Sequence, residues 1–184
     1  MLLGGLAFRW SLHQGCQVAM TNATIRPVSA ADAAAIVRIY NYFVQNTVVT
    51  FEEEAVSAPD MAARIAEAQG LSLPWLVAEV DGAIAGYAYA RRWRPRSAYR
   101  YSAETTIYLA RGHERRRIGT TLYSALLPLL RERGIHVAIG GVALPNDASV
   151  ALHERLGFER VATFRQVGFK HDRWVDVAYW QLVL

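Results

Sequence analysis

The chain has 184 residues, 53% of them hydrophobic, 11% aromatic and 20% charged, a composition that suits one globular domain and excludes extended disorder. A single cysteine, Cys16, excludes an intrachain disulfide and a cysteine-based zinc site, and no apolar run reaches the ~20 residues of a membrane-spanning helix. The formal net charge is +4, and nine of the 19 arginines fall between Arg91 and Arg117, so the middle of the chain should draw an anionic ligand, either nucleic acid or a small phosphate compound.

Residues 1–23 lack periodicity and read as an N-terminal extension, followed by one domain over 24–184. Leu2 to Phe8 is apolar, without the basic lead and small-residue cleavage site of a secretory signal. Ile25–Val28 reads as a strand. Ser29 and Asp32 mark a helix start, and Ile36, Ile39, Tyr40 and Phe43 give that helix one apolar face. An irregular loop from Asn46 to Glu54 leads to a second helix, from Pro59 to Gly70. Trp75–Val80 and Ala83–Arg91 read as strands joined by the Asp81-Gly82 turn. After a polar stretch, Tyr101–Leu109 is a strand with Glu104, Thr106 and Tyr108 on one face and Thr105, Ile107 and Leu109 on the other.

Arg111 to Ile118 is a basic loop, and Gly119 opens a long helix striped by Leu122, Leu126, Leu129 and Leu130, with an irregularity expected at Pro128. Strand Ile135–Val142, helix Asn146–Leu156 and two strands, Phe158–Val167 and Val175–Leu184, complete the chain. The fold class is mixed α/β, in the order β-α-α-β-β-β-α-β-α-β-β. A strand, a tight basic loop and a helix N-terminus make an anion cradle, because the first helical N–H groups lack internal partners. The terminal Gly-Lys-Ser/Thr of a P-loop and the three spaced glycines of a dinucleotide fingerprint are both missing. Read alone, the same loop also fits a solvated charge run before an ordinary helix.

Four segments carry a resemblance. His113 to Tyr123 (HERRRIGTTLY) is similar to the acetyl-CoA loop of the GNAT N-acetyltransferase superfamily, Gln/Arg-x-x-Gly-x-Gly/Ala. Leu144 to Phe158 (LPNDASVALHERLGF) resembles that superfamily's later Asn-x-x-Ser-x-x-Leu-His/Tyr-x-x-x-Gly-Phe motif. Gly168 to Trp180 (GFKHDRWVDVAYW), together with Tyr101 to Leu109 (YSAETTIYL), resembles the phosphinothricin and methionine sulfone/sulfoximine acetyltransferase branch. The sequence departs at two points: Arg117 stands where the family has its first loop glycine, and Glu114 where it has Gln or Arg. An Arg at that glycine position implies either an ordinary backbone there or a strained one.

The resemblance implies a mostly antiparallel central sheet flanked by helices, with acetyl-CoA as cosubstrate. It implies that the backbone of Ile107, Tyr108 and Leu109 runs beside the pantetheine arm. Arg115, Arg116, Arg117, Ile118, Gly119 and Thr120 would hold the pyrophosphate, and Asn146 and Ser149 would contact the cofactor further on. Glu104 would accept the amine proton and His153 would protonate the leaving thiolate. Phe51, Arg94, Arg96, Ser97, Ala98 and Tyr99 would contact the acceptor, with Lys170, His171 and Trp174 closing the site. No metal is indicated.

The expected activity is acetylation of the α-amine of a small amino acid or analogue by a cytoplasmic homodimer, with neither nucleic acid nor membrane as partner. The alternatives are another acceptor (polyamine, aminoglycoside or protein N-terminus), a catalytically silent acyl-CoA-binding domain, or a nucleic-acid surface. For the last, no helix-turn-helix or aromatic-plus-basic signature is present.

Overall fold

Periodicity in the chain becomes two helical layers around one sheet. The computed structural model describes residues 23–184; the extension expected over 1–23 lies, apart from Ala23, outside the described residues, as does Cys16. The strands are β1 (Thr24–Pro27), β2 (Trp75–Val80), β3 (Ala83–Arg92), β4 (Ser102–Leu109), β5 (Val137–Ala143), β6 (Glu159–Lys170) and β7 (Arg173–Val183). The helices are α1 (Ala33–Asn46), α2 (Ala58–Gly70), α3 (Ile118–Glu132) and α4 (Asp147–Arg155), with short 3-10 turns at Ala30–Asp32 and Ser97–Tyr99. The element order is the one read from the sequence. Among the described residues, no helix is long and apolar enough to cross a membrane.

The seven strands lie in the order β1-β2-β3-β4-β5-β7-β6. All neighbours are antiparallel except β4 and β5. The leucine stripe of α3 explains one layer: Leu122, Leu126 and Leu130 are fully buried against Ala78, Ala88, Ala90, Ala103 and Ala138 of the sheet. Small residues beneath a large-residue helix let it sit close, and each buried Leu contributes roughly 1.5–3 kcal/mol. Helix α3 runs through Pro128, which is exposed. On the other face, Ile36, Ile39, Tyr40 and Val44 of α1 join Met61 and Ile65 of α2 over Trp75, Val77 and Tyr87.

Where Ser29 and Asp32 were expected to start a helix, the Ser29 amide and hydroxyl donate to Asp32 at 2.7 and 3.0 Å. Arg26 of β1 grips the same carboxylate with two bonds of 2.8 and 2.9 Å. The final hairpin is tighter than expected. Strand β6 continues to Lys170, and the turn is His171-Asp172, both left-handed, the geometry of a two-residue hairpin loop.

Candidate active site

The β4–β5 pairing is short. Ser102, Ala103 and Glu104 pair with Val137, Ala138 and Ile139, and there the parallel ladder stops. Strand β4 stays with β3 as far as Leu109, while β5 leaves with β7 as far as Ala143. The sheet therefore splits past Glu104 and Ile139. Along the split, the backbone of Thr106 to Leu109 keeps its β3 bonds and turns its other edge to the gap, so an extended ligand can add there like a partial strand. Ile107, Tyr108 and Leu109 lie on this edge.

The loop at the head of the gap has an unusual backbone. Arg115 and Arg117 are both left-handed, each at φ +61°. The sequence left open whether Arg117 has an ordinary or a strained backbone; the strained form is present, at a cost of about 1–2 kcal/mol per residue. Such turns converge successive N–H groups into an anion-binding concavity. The first intrahelical bond of α3 runs from the Thr121 amide to the Arg117 carbonyl at 3.0 Å. The amides of Ile118, Gly119 and Thr120 precede it and are the ones a helix leaves to a ligand or water. Gly119 seats the helix start between Ile107 of β4 and Leu152 of α4. The Glu114 carboxylate folds back to accept from the Gly112 amide at 2.9 Å, and Arg116 lies 3.3 Å from His113 Nδ1. Asn146 caps α4, its Oδ1 accepting from the Ser149 amide at 3.1 Å.

One wall of the split carries His153. Its ring is 3% exposed, packed edge-on to Tyr123 and Phe158. Nδ1 lies 2.7 Å from the Ser149 carbonyl, and only an N–H can bond there, so in the neutral ring Nε2 carries the lone pair. Nε2 faces the Tyr123 hydroxyl at 3.4 Å. That hydroxyl in turn lies 3.3 Å from Thr105 Oγ1, and Thr105 donates to the Ile139 carbonyl at 3.3 Å. The chain thus ties α4, α3, β4 and β5 together where the strands part. Burial lowers the His153 pKa, against the opposing pull of the Ser149 carbonyl.

Glu104 lies on the opposite face of the sheet. Arg91 is its partner in the β3–β4 register and donates to Oε2 from Nε at 2.9 Å and from Nη2 at 2.8 Å. A cleft of about 330 Å³ is lined by Arg91, Arg92, Trp93, Arg94, Glu104 and Tyr179. Arg94 stacks over Trp93 at 4.8 Å, and Trp93 meets Tyr179 edge-on at 5.4 Å. Burial, then the Glu104 charge, raises the Tyr179 pKa. A larger cleft, about 710 Å³, lies between α1 and the β2–β3 turn; of the expected site residues it holds only Leu109.

The structure brings Glu104 and Arg94 into one cleft. Phe51, Arg96, Ser97, Ala98 and Tyr99 do not line it. Ser97–Tyr99 is an exposed 3-10 turn, and the Phe51 ring lies against Gly168. Lys170 was expected to close the site, yet it is buried and bonded to three carbonyls. Sequence reasoning missed Arg91, Tyr123 and Tyr179. Only Tyr123 had a local signal, one residue beyond Leu122 on the buried stripe of α3.

The acetyltransferase (GNAT) domain family matches residues 25–179. The chain is 41% identical over 157 residues to a phosphinothricin N-acetyltransferase of Streptomyces viridochromogenes, covering 85% of each. It is 37% identical to an L-methionine sulfoximine/L-methionine sulfone acetyltransferase of Salmonella typhimurium, over 88% of this chain and 94% of that one. Among solved structures, a phosphinothricin acetyltransferase from Sinorhizobium meliloti in complex with acetyl-CoA superposes with a TM-score of 0.85 at 39% identity, covering 88% of each chain. An acetyltransferase of Salmonella typhimurium with its cofactor acetyl-CoA gives 0.86 at 37% identity, over 88% of this chain and 94% of that one. The open β4 edge and the curled loop ahead of α3 fit that cosubstrate's amide-bearing arm and its diphosphate. The chain belongs to the GNAT family of acetyltransferases, with acetyl-CoA as its cosubstrate.

Proposed function

We propose that this enzyme acetylates the α-amine of a small amino acid or analogue of the phosphinothricin, methionine sulfone or methionine sulfoximine type, by direct attack and without an acyl-enzyme. The observation that carries the reading is the cleft where the sheet splits, which offers one carboxylate, Glu104, among Arg91, Arg92 and Arg94. A zwitterion matches that arrangement, its amine toward the carboxylate and its acid group toward a guanidinium fork. The relatives' names point to the same acceptor class.

Acetyl-CoA, when bound, supplies the acetyl group activated as a thioester. The edge of Ile107, Tyr108 and Leu109 would align its arm. The amides and charges of Arg115, Arg116, Arg117, Ile118, Gly119 and Thr120 would hold its diphosphate, with Asn146 and Ser149 at the next helix start. Attack needs an uncharged amine, and Glu104 is the base that takes the proton, directly or through a water. Arg91 keeps that carboxylate aimed along its own strand register. His153 supplies the proton to the departing thiolate. Its Nδ1–H is committed to Ser149, so the transferable proton sits on Nε2. Burial makes the protonated ring rarer at neutral pH and a stronger acid when it forms. Arg94 takes the acceptor's acid group in this reading, with Phe51, Arg96, Ser97, Ala98 and Tyr99 as its further contacts.

We place the enzyme in the cytoplasm as a homodimer. The support for a dimer is the outer hairpin, where Phe164, Val167, Phe169 and Trp174 are all more than half exposed. The testing experiment is thiol release from acetyl-CoA across an acceptor panel: methionine sulfone, methionine sulfoximine, phosphinothricin, a decarboxylated counterpart and a polyamine. Turnover should be confined to acceptors that keep the α-carboxylate. Equal turnover of the decarboxylated amine, or none with any amino acid, refutes the reading.

A further inference from the structure

Lys170 is the one lysine in the chain, against 19 arginines. It ends β6, is 2% exposed, and its ammonium donates to three backbone carbonyls: Val44 at 2.7 Å, Thr50 at 2.8 Å and Glu52 at 2.7 Å. An ammonium has three donors and no acceptor, so the group is saturated. None of its bonds is to a carboxylate. Burial lowers its pKa, with the charges of Glu53 and Glu52 opposing. A cation held by carbonyl dipoles alone costs stability relative to a packed apolar side chain, so its presence calls for a geometric reason.

We propose that Lys170 is a positioning residue for the acceptor: its ammonium clamps the segment between α1 and α2 over the acceptor side of the β4–β5 split. Thr50 and Glu52 flank Phe51, so bonding both carbonyls fixes the Phe51 backbone. The Phe51 ring then lies on Gly168, two residues before Lys170 on the same strand; a Cβ there would fall 2.7 Å from Cε1 and nearer still to the ring's outer atoms. One strand therefore holds the segment by an ammonium and by a seat without a side chain. The segment reaches both banks of the split. Thr50 Oγ1 and the Tyr40 hydroxyl are 2.8 Å apart, and the Tyr40 ring meets Tyr108 of β4 edge-on at 5.2 Å. Val48 is buried with Ala143, the last residue of β5. Glu52 itself is held by Arg64 at 2.7 and 3.0 Å. Arginine cannot take this place, because its planar fork does not direct three donors from one atom.

The proposal rests on the acceptor reading above, and its test separates the two. Lys170→Met removes the donors at similar length. It should raise the acceptor KM at least tenfold while the acetyl-CoA KM stays within twofold, and Lys170→Arg should not rescue it. A mere staple would lower thermal stability and active fraction without splitting the two KM values, and that result, or rescue by arginine, overturns the proposal. Hydrogen exchange gives an independent readout that needs no acceptor. Amides of residues 48–54 should exchange at least tenfold faster in Lys170→Met, with those of β4 and β5 unchanged; equal protection in both proteins refutes the clamp even if every amine in the panel proves inert. Should Lys170→Met not fold, Lys170→Gln, which keeps two N–H donors, should show the same split at smaller size, and its absence counts equally against the proposal.

Discussion

Gly140 sits on β5 one residue past the last β4–β5 pair, directly beneath the His153 ring. A Cβ built there lies 2.7 Å from Cδ2, 3.3 Å from Cε1 and closer still to Nε2, roughly 1 Å inside ordinary contact. The ring cannot swing away cheaply, because Tyr123, Phe158 and Trp180 surround it and Nδ1 is bonded to Ser149. Gly140→Ala should therefore cost about 1–3 kcal/mol, the usual price of overpacking, and about 2–4 °C of Tm per kcal/mol in a chain of this size. Acetyl transfer should fall with it, since the displaced ring leaves Tyr123 and Ser149. His153→Ala alone should cost about 2–5 kcal/mol as a large-to-small change. In the double variant the new methyl enters the space the ring vacated, so the two losses should fall short of their sum by about 1–3 kcal/mol. Urea denaturation of the four proteins measures this. Additivity within about 0.5 kcal/mol, or a Gly140→Ala protein as stable as the parent, would refute the packing argument.

Glu104→Gln should lower kcat about a hundredfold near neutral pH while calorimetric acetyl-CoA affinity is unchanged; an unaltered rate removes Glu104 as base. Arg117→Gly exchanges a left-handed penalty of about 1–2 kcal/mol for about 0.4–1 kcal/mol of extra unfolded-chain entropy. Tm should hold or rise slightly, and acetyl-CoA should bind several-fold more weakly with a shallower salt dependence; a clear fall in Tm contradicts the assigned strain. Hydrogen bonds from Arg26, opposed by burial and aided by Ser29, hold the Asp32 pKa down to about 2. The depressed value means that this stabilisation is complete above the unfolded pKa near 4 and is lost as pH falls through about 2. Because Arg26 is about a third exposed, the effect is discounted to about 1–2 kcal/mol. Urea midpoints between pH 5 and 2 should fall less steeply in Asp32→Asn, and an identical slope counts against the pair.

Local chemistry was legible in the sequence, and long-range register was not. The alternation of Tyr101 to Leu109 placed Glu104 and Tyr108 on one face and Ile107 on the other, and the structure keeps that division. The leucine stripe of α3 declared its buried side. Arg91 escaped notice because the segment joining β3 to β4, from Trp93 to Tyr101, is too long to set a hairpin register, so nothing local paired it with Glu104. Tyr179 escaped because β7 inserts between β5 and β6, a placement no neighbouring residue announces. Lys170 was expected to close the site, and nothing beside it in the chain announces that its ammonium is enclosed. Its three carbonyl partners stand 118 to 126 residues earlier in the chain.

That lysine has a chemical corollary. A thioester acylates any accessible unprotonated side-chain amine, and an enzyme that spends its life with acetyl-CoA is exposed to that side reaction. Here the sole such amine is enclosed, protonated and fully occupied by carbonyl oxygens, while every other basic side chain that bears a permanent charge is a guanidinium, which does not acylate under these conditions. The lysine side chain is thereby shielded from acetylation by the enzyme's own reagent, and amine-directed labels will report on it only after the protein unfolds.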